Sequence, residues 1–71
     1  MQYFYLVCVH YDECCYPEKI FLQRIKAIKY GKRLATKLAM DGNYEVVLYK
    51  QPITETGSLK RVTTLEPFKN L

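Results

Sequence analysis

Hydrophobic and polar positions along the chain predict four strands and one helix. Residues 2–11, 44–51 and 59–66 are rich in tyrosine, phenylalanine, valine and threonine, as strands are. A polar link that contains Gly57 joins the last two segments, which predicts a hairpin.

The segment from residue 18 to residue 40 has two interpretations. A single helix over all of it would place Arg24 in the middle of the apolar face and Leu22 on the opposite, wet side. The conflict disappears if residues 19–23 form a short strand and the helix begins near Arg24. We adopt this second interpretation, although Gln23 is a poor helix N-cap.

The predicted helix has one apolar face and a clear end. Gly42 follows Asp41 as a C-terminal stop, and residues 12–17 become the loop of a first hairpin. We expect Gly31, on the inner side, to allow close packing against the sheet. The residues of the inner face are Ala27, Ile28, Gly31, Leu34, Ala35, Leu38 and Ala39.

The order of elements predicts a single α+β domain over residues 1–71, with a ββαββ arrangement. The helix returns the chain to its starting end, so the third strand runs antiparallel to the first. Placing these two strands, the most apolar ones, in the centre gives a four-stranded antiparallel sheet of order 2-1-3-4. The helix covers one face of this sheet.

Both faces of the predicted sheet are apolar or aromatic, because residues on opposite sides of the first and third strands are equally hydrophobic. One helix covers only one face, so the second face is solvated, self-associated or bound to another molecule. We favour a homodimer and keep a different protein partner as the alternative. The predicted interface residues are Tyr3, Tyr5, Val47 and Tyr49.

Charge is concentrated on the helix. Residues 19–40 carry seven of the eleven lysines and arginines and none of the seven acidic residues, within a chain of formal charge +4. Surface helices usually mix signs, because glutamate–lysine pairs stabilise them by about 0.2–0.5 kcal/mol each. We predict that this surface binds nucleic acid or an acidic protein surface. The predicted contact residues are Lys26, Lys29, Lys32, Arg33 and Lys37. The simpler alternative is a solvated face that maintains solubility.

The cysteines and the single histidine form weak candidate sites. Cys8, His10, Cys14 and Cys15 lack the CxxC spacing of zinc sites, so we expect no metal and no cofactor. Cys8 and His10 are about 6–7 Å apart at Cα on a strand and have no third group to orient them. We therefore expect no catalytic residues and no enzymatic activity.

Compartment follows from two absences. The apolar stretch of residues 3–9 is too short for a signal peptide or for a membrane span of about 20 residues. With three cysteines, two of them adjacent, we expect free thiols in a cytoplasmic protein.

Two hypotheses of function follow. In the first, the chain is a small binding module that holds nucleic acid or another polyanion on its basic helix. In the second, it is a small accessory, inhibitor or adaptor protein, similar in size to those of viruses and mobile elements, that binds a protein through its aromatic sheet face. We expect no membrane partner and no small-molecule substrate in either case.

Overall fold

The computed structural model describes residues 3–40, 42–53 and 59–68. Its elements are β1 (Tyr3–Tyr11), β2 (Cys14–Phe21), α1 (Arg24–Leu38), β3 (Tyr44–Pro52) and β4 (Lys60–Leu65). The predicted ββαββ order is confirmed. The predicted strand start at Gln2, the position of Asp41 and the link over residues 54–58 lie outside the described residues.

The four strands form one antiparallel sheet in the order β2-β1-β3-β4, as predicted. The two central strands carry the buried core: Val7 pairs with Leu48, and Val9 pairs with Val46. These four side chains face α1, and Leu65 of β4 joins them. Within the described residues, no helix has the length and hydropathy needed to cross a membrane.

The first hairpin is tighter than predicted. Its turn contains only Asp12 and Glu13, with φ of 50° and 67°, and β2 begins immediately afterwards at Cys14. Positive φ at both central residues is typical of the two-residue type I′ turn, whose twist matches that of the flanking strands. The predicted loop over residues 12–17 is therefore wrong beyond the turn itself.

Pro17 lies inside β2, although proline is rare within sheets. β2 is an edge strand, and edge strands tolerate a residue that lacks a backbone donor. The pairing also shifts by one residue at this point, since Val7 pairs with Lys19 and Cys8 pairs with Pro17. This β-bulge accommodates the proline next to a break in the regular ladder.

Helix α1 begins at Arg24, as the strand–helix interpretation predicts, and ends two residues before the predicted Met40. Gln23 is the N-cap in an extended conformation, and its side chain makes no capping hydrogen bond. Past the end of the helix, Gly42 has a φ of +74°, in the left-handed region that favours glycine.

Small residues let α1 approach the sheet closely. Ala27, Gly31 and Ala35 form a buried stripe on the helix. A Cβ atom at Gly31 would overlap Leu65 Cδ1 and lie 3.6 Å from Val46 Cγ1. The predicted role of Gly31 in close packing is confirmed.

The rest of the predicted inner face is less buried. Three larger residues are partly buried and pack against the core: Ile28, Leu34 and Leu38. Ala39 is exposed, contrary to prediction, because it lies at the C-cap beyond the last helical turn.

Substitution of Gly31 tests this packing. Alanine forms helix better than glycine by about 1 kcal/mol, whereas overpacking a core costs about 1–3 kcal/mol. Gly31→Ala should therefore lower the free energy of unfolding, measured by chemical denaturation. Leu65→Val removes the overlapping Cδ1 atom. The double variant should therefore lose less unfolding free energy than the sum of the losses in the two single variants. Strict additivity of the two single effects would contradict the close contact.

Candidate nucleic-acid interface

The exposed cations of α1 lie opposite its buried stripe. We call Lys26, Lys29, Arg33 and Lys37 the basic helix surface, and all four are exposed. Their spacing of three or four residues places them on one side of the helix. Among the described residues, one ion pair is present: Arg61 on β4 pairs with Glu45 on β3 at 2.9 Å. None of the four helix cations forms an ion pair with a described residue.

The start of α1 adds to this positive potential. Its first turn contains Arg24 and Lys26 and no acidic residue. The N-terminal end of a helix carries the positive end of its dipole, where acidic side chains would stabilise the helix by about 0.3–1 kcal/mol. The helix lacks that stabilisation and presents positive charge instead.

The helix has two different flanks. On the flank near β4, the Phe68 backbone N–H donates a hydrogen bond to Thr36 Oγ1 at 2.9 Å. The ammonium of Lys32 lies 5.8 Å from the centre of the Phe68 ring, and Lys32 is half-buried. This predicted contact residue therefore lies at the border of the basic helix surface.

The flank near β2 combines aromatic rings with cations. The Tyr30 ring packs at 5.3 Å from the Phe21 ring, at an angle of 51°. The ammonium of Lys19, on β2, lies 5.4 Å from the centre of the Tyr30 ring. Sequence reasoning omitted Tyr30 and Lys19 from the site. The position of Tyr30, one turn after Lys26 and three residues before Arg33, was the signal available for it.

A shallow recess opens beside Tyr30. It has a volume of about 130 Å³ and is lined by Tyr30, Arg33, Leu34 and Lys37. We call it the Tyr30 recess. Tyr30 and Leu34 supply apolar surface, whereas Arg33 and Lys37 supply two exposed positive charges.

The face of the sheet turned away from α1, the open face, differs from the predicted interface. The register pairs Tyr5 with Lys50 and Leu6 with Tyr49, so Tyr5 and Tyr49 point to opposite sides. Tyr5 packs against the core under the helix, and Tyr3, on the same side, lies under the ammonium of Lys50 at 4.8 Å. The four predicted interface residues therefore do not share one surface.

Val47 and Tyr49 do lie on the open face, but Val47 is fully buried. The Tyr49 hydroxyl and His10 Nε2 are hydrogen-bonded at 2.8 Å, and their rings stack with centroids 6.0 Å apart. Tyr49 and His10 belong to strand pairs on either side of the Cys8–Val47 pair. The two rings therefore span Cys8 and Val47, which explains why both are buried on the face turned away from α1.

The environment of Cys8 suppresses its reactivity. Burial, together with a hydrogen bond to Cys15, raises the pKa of the Cys8 thiol from 9.0 to about 12. The thiol is therefore protonated at neutral pH and supplies no thiolate nucleophile. Cys8, Cys14 and Cys15 are all free, as predicted. Over residues 3–40, 42–53 and 59–68, no group of three or more histidine, cysteine or acidic residues is arranged to hold a metal ion.

One corner of the open face is apolar. Leu6 pairs with Ile20 across the β1–β2 ladder, and Ile20 is 59% exposed. Phe4 lies two residues before Leu6 on the same side of β1 and is partly buried. We call Phe4, Leu6 and Ile20 the open-face patch. Leu22, just beyond the end of β2, is 71% exposed.

No family model, curated protein or solved structure matches the chain.

Proposed function

We propose that the protein is a small non-enzymatic module that binds nucleic acid through the basic helix surface. The observation that supports this most strongly is a line of four exposed cations on a helix that contains no acidic residue. The cysteines are free thiols, which are typical of a reducing compartment. We therefore propose that the protein acts in the cytoplasm.

The dimensions of the line fit a phosphate backbone. Lys26 and Lys37 are eleven residues apart, or about 16 Å at ~1.5 Å per helical residue. Successive cations of the line are three or four residues apart, or about 4.5–6 Å along the helix axis, so the four side chains can reach separate phosphates of one strand. Contacts of this kind position a protein on nucleic acid without selecting its sequence. We therefore expect micromolar binding that depends strongly on salt.

Replacing all four cations tests the proposal. In a variant with Lys26, Lys29, Arg33 and Lys37 changed to glutamine, the free energy of unfolding should change little, because glutamine forms helix about as well as lysine. Affinity for nucleic acid should fall almost equally for all sequences. The plot of log K against log salt for duplex DNA has a negative slope, and the magnitude of that slope should decrease by about 3–4 units, measured by fluorescence anisotropy.

A matched pair of double variants separates the helix from total charge. Each double variant removes two positive charges from a protein of charge +4: Lys29→Gln/Arg33→Gln on the helix, and Lys50→Gln/Lys60→Gln on the sheet. Only the helix pair should weaken binding substantially. Unchanged binding in the folded quadruple variant would show that the basic helix surface serves solubility and would overturn the proposal.

A second candidate function is binding of another copy of this chain through the open face. The open-face patch exposes apolar surface, while the polar side of the same face is neutralised by the Arg61–Glu45 pair. The molecule measures 38 × 28 × 15 Å, and its broad face exceeds the ~800 Å² per partner of a standard interface. The basic helix surfaces of two copies would point outward, farther apart than the ~8–10 Å over which salt screens charge. If the partner is a different protein, the chain is instead an adaptor or inhibitor.

Light scattering tests the dimer. At micromolar concentration, the protein should have about twice the 8.4 kDa mass of the chain. Ile20→Glu, on the edge strand, should produce monomers because it places a charge in the apolar contact. Ile25→Glu is the matched control, since Ile25 is similarly exposed but lies on α1. A wild-type monomer at hundreds of micromolar would exclude the homodimer and favour a different partner.

A further inference from the structure

We infer that the Tyr30 recess holds an unpaired nucleobase, so that the nucleic acid bound by the basic helix surface is single-stranded. The inference rests on the proposed function and specifies its ligand. It starts from the mixed chemistry of the recess, which joins an aromatic ring and a leucine to two cations.

A phosphate alone would use only part of the recess. Arg33 and Lys37 can each pair with a phosphate oxygen, and the Tyr30 hydroxyl can donate to one, but Leu34 and the face of the Tyr30 ring offer nothing to an anion. A nucleotide uses both halves, because its base presents an apolar π-face and its phosphate presents the charge. Proteins that bind single strands combine a positively charged track with aromatic side chains on which bases stack.

The ring is already held in place. The centres of the Tyr30 and Phe21 rings are 5.3 Å apart. The Lys19 ammonium lies 5.4 Å from the centre of the Tyr30 ring. A ring fixed by its neighbours loses little side-chain entropy when a base stacks on it. Lys19 lies beside this ring, and Lys26 lies one helical turn before Tyr30, so two further cations flank the aromatic surface.

An intact DNA duplex cannot place a base in the Tyr30 recess. Its bases are stacked inside the helix, and a base enters a recess on a protein flank only after it is unpaired, which costs a few kcal/mol. Single strands offer unpaired bases without that cost. The flank near β4 is partly covered by Phe68, whose backbone N–H donates a hydrogen bond to Thr36 Oγ1.

The decisive comparison uses wild-type protein and three probes at low salt: a short oligothymidylate, an oligonucleotide of the same length without bases, and a duplex of that length. Anisotropy should show oligothymidylate binding at least about fivefold more tightly than the abasic strand, because stacking one base contributes about 1–3 kcal/mol. It should also bind more tightly than the duplex.

Variants then assign the difference to the ring. Tyr30→Leu should bring the ratio of oligothymidylate to abasic affinity close to one, while Tyr30→Phe should keep it. Tyr44→Leu is the matched control, because Tyr44 is 39% exposed and stacks with Tyr11 at 4.6 Å, outside the recess. Thermal melting establishes that each variant is folded.

The outcomes separate the two proposals. Equal binding of oligothymidylate and abasic strand by the wild-type protein overturns the recess and leaves the proposed function intact, and this result needs no variant to fold. Preference for the duplex, or a preserved ratio in folded Tyr30→Leu, also overturns the recess. Failure to bind any of the three probes overturns both proposals.

Discussion

The close approach of one helix to a four-stranded sheet determines most of this structure. Ala27, Gly31 and Ala35 leave no large side chain between α1 and the sheet, and Leu65 fills the space at Gly31. This contact fixes the rotation of the helix about its own axis. Because the small stripe faces inward, residues half a turn away must face solvent. The direction of the basic helix surface is thus a consequence of core packing.

The same contact places α1 on one face of the sheet, and no other described element covers the opposite face. The His10–Tyr49 ring pair buries the centre of that face, and the Arg61–Glu45 pair neutralises the part near β4. Ile20, at one corner of that face, is 59% exposed. The two candidate surfaces lie on opposite sides of a molecule 15 Å thick, so a protein partner and a polyanion would not compete for space.

Local pattern predicted the order of elements, the sheet topology and the start of the helix, because a misplaced Arg24 and Leu22 are visible on a helical wheel. Features that depend on contacts between strands escaped prediction. The Asp12–Glu13 turn lacks the Asn-Gly or Asp-Gly pair that usually marks a type I′ turn. Parity within β1 could not show that Tyr5 and Tyr49 face opposite sides, since the register between strands decides it. Tyr30 and Lys19 meet only because β2 runs beside the helix flank.

The central claim is that α1, a helix without acidic residues, binds nucleic acid. It is tested most directly by titrating a single-stranded oligonucleotide into ¹⁵N-labelled protein and following the backbone amides by NMR. The account predicts chemical-shift changes concentrated on residues 26–37 and on Lys19, which disappear as salt is raised. Changes confined to the open face, around Leu6 and Ile20, or no changes at low salt, would contradict it.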